Sequence, residues 1–321
     1  MKKMIFGVAA TLMACGMVTA HAQSYPTKPI RIIIPFPIGG IADVFARVIG
    51  GKLNEAWGQP VVVENRAGAG GNIAAEFVAK SPPDGYTLVV GSIGTHAVNV
   101  SLFKKIAFDP VRDFAPISMM LEAEGLLVLH PSVPAKNVKE LIALARARPG
   151  QIIYASAGNG TAGHLSGELL KSMAKVDMVH VPYKGNVPAI TDLIGGQTSL
   201  LFATMPTVLP HVKSGRLNAI AVTGAKRSPA APALQAIAET LPGYDVTNWV
   251  GAFAPAGTPR DVVNKLHTEI VRVMQAPDIQ KRLLTEGAKF TPMSPEQFGS
   301  FVKAEIAKWA KVIQQSGIRV D

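Results

Sequence analysis

Residues 30–57 read IRIIIPFPIGGIADVFARVIGGKLNEAW, and this stretch decides the fold. Ile30, Ile32, Ile33 and Ile34 make a short β-branched run, the pattern of a strand buried on both faces of a parallel sheet. Behind it, Val44, Phe45, Val48, Ile49 and Leu53 recur at helical spacing across Ala42 to Trp57. Gly39 and Gly40 lie at the junction, so the chain runs from a strand through a glycine turn into a helix. The same grammar continues with a strand at Val61 to Val63, a helix over Asn72 to Lys80 and a strand at Thr87 to Val90. A second set then starts. It has strands at Leu126 to Leu129, Ile152 to Ala155, Met178 to Val181, Ser199 to Phe202 and Ala219 to Val222, with helices over Val138 to Arg148, His164 to Ala174 and Val187 to Ile194. Ser228 to Leu234 reads as a loop, Trp249 to Ala254 as a strand, and Arg260 to Gln275 and Pro295 to Gln315 as closing helices. In the last of these, Phe298, Phe301, Val302, Ile306, Trp309 and Ile313 share one face and read as core. Two α/β lobes, each with a mainly parallel sheet, account for the pattern.

The chain begins with the features of an export signal. Lys2 and Lys3 precede a short apolar run, and Ala20-His21-Ala22 supplies a small-x-small cleavage site, so cleavage is expected after Ala22. The run is shorter than the ~20 residues that span a bilayer. Lipidation at Cys15 is the alternative processing route. Cys15 is the only cysteine, so the processed chain would have no disulfide or thiolate. Loss of Lys2 and Lys3 lowers the formal charge from +10 to +8. The basic residues are dispersed, aromatics make up 6% of the chain, and no nucleic-acid motif is present, so the charge reads as solubility with a mild attraction for anions.

Candidate contacts cluster where strands end. The unpaired N–H groups of a helix start carry positive potential, and two glycines let backbone approach a ligand, so the turn before Ala42 and Asp43 suits a carboxylate or phosphate. A tight turn followed by a first-turn acid explains the same residues equally well. Gly91-Ser92-Ile93-Gly94-Thr95-His96 and Ala155-Ser156-Ala157-Gly158-Asn159-Gly160-Thr161 end one strand in each lobe, where open parallel sheets bind ligands. Asn65 to Asn72 resembles a dinucleotide loop but has Ile73 in place of its final glycine, and reads as a turn at the cleft edge.

Enzyme patterns are missing. Gly163-His164-Leu165-Ser166-Gly167 has the wrong spacing for a nucleophile turn, and neither H-E-x-x-H nor a Walker loop occurs. His164 and Glu168 share a helix face without completing a metal site, and His164 reads first as a cap or packing group. The expectation is a binding protein without metal or cofactor.

Seven ordered segments carry a family resemblance: PFPIGGIADVFAR (35–47), GQPVVVENRAGAGGNIAAEFVAKSPPDGYTL (58–88), GSIGTHAVN (91–99), DPVRDFAPIS (109–118), YASAGNGTAGHLSGELLK (154–171), HVPYKGNVPAITDLIGGQ (180–197) and WVGAFAPAGTP (249–259). Together they resemble the tripartite tricarboxylate transporter substrate-binding proteins, the Bug-type receptors. The resemblance implies a periplasmic, two-lobed, type II Venus-flytrap binding-protein fold, with lobe 1 from residues 23–124 and 248–321 and lobe 2 from 125–247. It also implies a monomer that closes on a small organic carboxylate and delivers it to membrane permease subunits. A sensor subunit facing a signalling partner remains the alternative. The implied contacts are Phe36, Pro37, Gly39, Gly40, Ala42 and Asp43 in the first loop, Ser92, Thr95 and His96 in the second, and Ala157, Gly158, Thr161 and His164 in the third. Asp192 is implied near the cleft, and Thr204 and Met205 where selectivity is set. Ala42 stands where the family commonly has a hydroxyl residue or Asn, and Ile38 and Ile41 make the loop apolar. Backbone capture of a carboxylate should survive this, in a pocket open to aromatic or short monocarboxylates.

Overall fold

The isoleucine run forms β1 (Ile30–Ile34) and the helical stripe behind it forms α1 (Ile41–Trp57), in a computed structural model that describes residues 25–316. The leader, Cys15 and the cleavage position lie outside the described residues. β2 (Val61–Asn65), α2 (Asn72–Ala79) and β3 (Thr87–Ser92) follow, and both β2 and β3 lie parallel to β1. Beyond β3 the chain makes a wide π-type turn over Gly94–Val98 and a short helix, α3 (Asn99–Leu102).

The next strand, β4 (Phe114–Leu129), joins the two halves of the molecule. Its first part pairs antiparallel with β10 (Thr247–Pro255), and its last five residues, Gly125 to Leu129, pair antiparallel with β7 (Leu200–Thr204). Only Leu126 to Leu129 has the sequence signature of a strand. The stretch before it, with Pro116, Glu122 and Glu124, is held extended by its distant partner β10, a contact that local periodicity does not register.

Between β4 and β10 lie α4 (Val138–Ala147), β5 (Ile153–Ser156), α5 (Ala162–Ala174), β6 (Val179–Pro182), α6 (Asn186–Ile194), β7, α7 (Met205–Lys213), β8 (Asn218–Val222) and β9 (Gln235–Ala236). The strand order is β2-β1-β3-β10-β4-β7-β5-β6, with β8 also on β4. Each lobe thus holds a parallel block, β2-β1-β3 or β6-β5-β7, and antiparallel β4 and β10 stitch the blocks together.

The chain closes with α8 (Arg260–Met274), α9 (Pro277–Thr285), β11 (Ala288–Lys289) and α10 (Pro295–Ser316). Phe298, Val302, Trp309 and Ile313 of α10 are buried, while Phe301 and Ile306 are partly buried at the edge of the same core. Glu305 on this helix accepts from the indole N–H groups of both Trp249 and Trp309 at 3.1 Å, satisfying two donors deep in the core.

Candidate functional site

Four helices begin at one cavity. It measures about 290 Å³, near the lower end of small-molecule pockets, and is lined on one side by the β1–α1 loop and the end of β3, on the other by the starts of α5, α6 and α7. The residues preceding these helices are Gly40, Thr161, Gly185 and Thr204, and none of their side chains caps its helix. The Thr161 hydroxyl donates to the Gly158 carbonyl at 2.7 Å instead, and Thr204 faces Thr207 at 3.4 Å. Helical bonding starts with Val44 N to Gly40 O in α1 and Leu165 N to Thr161 O in α5, both 3.0 Å, so the N–H groups before them have no acceptor in the helical ladder. Free amides of α1 and α5 and four positive dipole ends therefore meet at one space, which favours an anion, although Pro188 and Pro206 each remove one N–H from the first turns of α6 and α7.

The first loop is braced from behind. Gly39 has φ +93°, a left-handed backbone that a side chain would strain, and donates its N–H to Asp43 Oδ2 at 3.1 Å. Asp43 Oδ1 accepts from Asn65 Nδ2 (2.9 Å) and Arg47 Nε (3.1 Å), and Asn65 Nδ2 also reaches the Phe36 carbonyl (3.0 Å). Burial pushes the Asp43 carboxyl up, but the bonds from Arg47, Asn65 and Gly39 outweigh it and hold the group below its usual value.

Of the residues singled out from sequence, Phe36, Pro37, Gly39, Gly40, Ala42, Ser92, Ala157, Thr161 and Thr204 line the cavity. The others lie behind this lining. Asp43 turns inward to the brace just described. Thr95 and His96 are fully buried, with Thr95 Oγ1 accepting from Ser92 N at 3.0 Å and meeting His96 Nδ1 at 2.9 Å. The His96 ring stacks on Phe253 at 3.9 Å, and burial pushes its pKa down to about 3. Gly158 shapes the turn, its N–H bonded to Ser156 Oγ at 3.1 Å. His164 accepts from Gly160 N at 3.2 Å and stacks on His180 at 4.3 Å, and burial pushes it down to about 4. Asp192 accepts from the Tyr183 hydroxyl at 2.7 Å, and Met205 is buried against Gly287.

Sequence reading missed the start of α6, Gly185 to Pro188, together with Lys184, Ser166, Thr207, Thr223 and Asn248, all of which line the cavity. The α6 start has the same strand–glycine–helix grammar as the first loop, so Pro182-Tyr183-Lys184-Gly185-Asn186 carried a usable signal. Ile38 and Val187, the most exposed large apolar residues among those described at 70% and 67%, line the cavity from opposite sides. The lining contains no aspartate, glutamate or histidine, and Lys184 is its one charged residue. Among the described residues no cluster of three or more His, Cys, Asp or Glu could hold a metal, and no helix is long and apolar enough to cross a membrane.

Residues 45–318 match the family model described as "Tripartite tricarboxylate transporter family receptor". Protein BugT of Bordetella pertussis is 38% identical over 303 residues, covering 93% of this chain and 92% of that protein. The R. palustris protein Rpa4515, solved with adipate, superposes with a TM-score of 0.88 at 38% identity, over 92% of this chain and 99% of that one. MatC from Rhodopseudomonas palustris, solved with malate, gives a TM-score of 0.85 at 34% identity, over 90% of this chain and 100% of that one.

Proposed function

Since the chain belongs to the tripartite tricarboxylate transporter receptor family, we propose that it is a periplasmic receptor that captures a small organic carboxylate in the cavity between its lobes and passes it to membrane permease subunits. The observation that carries this reading is the convergence of four uncapped helix starts on a cavity whose lining holds no carboxylate. An anion placed there gains N–H donors and dipole ends without meeting a like charge. The relatives solved with adipate and malate hold ligands of this chemistry.

In this reading the backbone groups at the starts of α1 and α5 take the carboxylate, with Ser92 and Thr204 hydroxyls within the lining to complete its bonds. The side chain at Ala42 is not needed for that capture. Asp43 positions the loop and is not itself a contact. Residues 23–124 with 248–321, and 125–247, move as the two lobes and close on the ligand. The protein is exported, cleaved after Ala22 and works as a monomer. The lining offers Ser92 and Ser166 neither a histidine nor a carboxylate as general base, which suits binding without turnover.

A thermal-shift screen of protein that has been unfolded and refolded to free carried ligand tests the reading. A ligand at a hundred times its Kd adds about 2.7 kcal/mol to the unfolding free energy, so a saturable rise with one carboxylate class is expected. Shifts with neutral compounds alone would overturn it.

A further inference from the structure

Four residues of the cavity lining, Gly125, Thr223, Val246 and Asn248, belong to the place where the two halves of the molecule are joined. β4 pairs with β10 as far as Glu124, opposite Thr247, then with β7 from Gly125 and with β8 from Leu126. On the lobe division proposed above, the chain passes between the lobes twice, from Glu124 to Gly125 and from Thr247 to Asn248. Thr223, which follows β8, is buried between these two crossings. Its backbone bonds to both of them, Thr223 N to Gly125 O and Val246 N to Thr223 O, each at 2.9 Å. Its hydroxyl does so as well: Oγ1 accepts from Gly125 N at 2.9 Å and donates to Val246 O at 2.8 Å.

We propose that Thr223 is a positioning residue: its hydroxyl ties the two interlobe crossings together beside the cavity and so sets the lobe orientation on which ligand affinity depends. The inference rests on the closure reading given above. A direct N–H to C=O bond between two strands weakens as its angle departs from linear. A hydroxyl instead accepts from one strand, donates to the other, and turns its proton about the C–O bond as the strands swing. Both crossings therefore stay linked through the motion. Gly125 permits the close approach, since a Cβ there would stand 2.9 Å from Thr223 Oγ1. Without the hydroxyl, the Gly125 N–H and the Val246 carbonyl lose the link between them, and each crossing settles separately. The hydroxyl proton is used within this joint, so Thr223 acts on a ligand through the strands.

On the cleavage proposed above, the processed chain has no cysteine, so spin labels can be placed at Asn54→Cys in α1 and Thr191→Cys in α6, both exposed and one in each lobe. Double electron–electron resonance then reads the interlobe distance for Thr223, Thr223→Val and Thr223→Ser, without ligand and with adipate or malate. Calorimetric titration of the unlabelled proteins, well below their melting temperatures, reads affinity. Thr223→Val should broaden the ligand-free distance distribution and weaken binding of whichever acid binds roughly 2- to 30-fold. Thr223→Ser should keep both at the wild-type values. A hydroxyl that only supports the fold would lower the melting temperature of Thr223→Val and leave distances and affinity unchanged, and that result would overturn the proposal. If Thr223→Val does not fold, Gly125→Ala, at a position without a positive φ, displaces the hydroxyl from the other strand and should broaden the distribution in the same way. A distribution as narrow as the wild type's in that variant would also overturn it. If neither acid binds, the ligand-free distributions alone decide. A wild-type distance that stays fixed while an acid binds would remove the closure reading and this role with it, whereas wild-type closure matched by Thr223→Val would remove this role alone.

Discussion

Alanine at position 94 should separate closure of the lobes from stability of the fold. A Cβ built on Gly94 would lie 2.8 Å from the carbonyl oxygen of Gly160, which belongs to the opposite side of the cavity, where ordinary contact begins near 3.4 Å. Gly94 does not have a positive φ, so within its own turn the methyl group meets no backbone strain. The overlap exists only while the two sides touch. Overpacking of such a contact costs about 1–3 kcal/mol, which converts to ligand affinity weakened roughly 5- to 150-fold. On the closure proposed above the lobes part when no ligand is bound, and replacing glycine reduces unfolded-state entropy, so the melting temperature of the ligand-free protein should hold or rise slightly. Gly251→Ala is the control, because its Cβ would overlap the Phe298 ring inside one lobe and should lower stability with or without ligand. Calorimetric titration with the best carboxylate, paired with melting of the ligand-free protein, reads both quantities. Unchanged affinity for Gly94→Ala, or a ligand-free melting temperature that falls as for Gly251→Ala, would refute the argument.

Asp43→Ala strips an acceptor from Gly39, Asn65 and Arg47 and should lower the unfolding free energy by about 1–3 kcal/mol while weakening carboxylate binding, measured by urea unfolding and titration. Because the Asp43 carboxyl is held below its usual value, its contribution is present above the unfolded-state value near ~3.9 and is lost only as pH falls through the lower folded value, so binding titrations from pH 7 to 5 should show no loss traceable to it. His96 behaves with the opposite chemistry: neutral in the fold at about 3 instead of 6.5, it lets the unfolded chain take up a proton that the folded chain refuses. Stability is full above pH ~6.5 and falls by about 1.4 kcal/mol per pH unit for this group below it, so His96→Phe should flatten the acid limb of a stability–pH curve by one proton, and an unaltered slope would contradict the burial argument. Glu305→Ala leaves the indole N–H groups of Trp249 and Trp309 unpaired and should cost about 2–4 kcal/mol in denaturant unfolding, with Glu305→Gln retaining most of it.

How much of this was legible in the sequence depends on whether the cause was local. β1 and α1 are set by side chains a few residues apart, and the isoleucine run and the Val44–Leu53 stripe placed them within a residue of their observed ends. The first part of β4 is set by β10, more than a hundred residues away, and α7 was hidden by Pro206 and Pro210, although a proline in the first turn of a helix is well tolerated. The site followed the same division. Strand–glycine–helix junctions marked where amides would converge, but not which neighbouring side chain would face the cavity: Ala42 lines it, and Asp43, one step of helical rotation on, turns to the brace. His96 is a buried ring partner because its direction depends on packing from other segments, and His164 is one as well, in line with its first reading as a cap or packing group. The glycines show why rotation and partner matter more than residue type. Gly68 to Gly71 read as a turn near the cleft edge, yet a Cβ on Gly70 would stand 2.8 Å from the Asn159 carbonyl oxygen across the seam, as Gly94 stands to Gly160. Two glycines on one side thus meet the single Asn159-Gly160 turn on the other, each where backbone approaches backbone too closely for a methyl group. In sequence, such a glycine is indistinguishable from one that admits a ligand. The structure separates the two surroundings: nothing stands within 4 Å of where a Cβ would be on Gly39 or Gly40, whereas Gly70 and Gly94 face backbone across the seam.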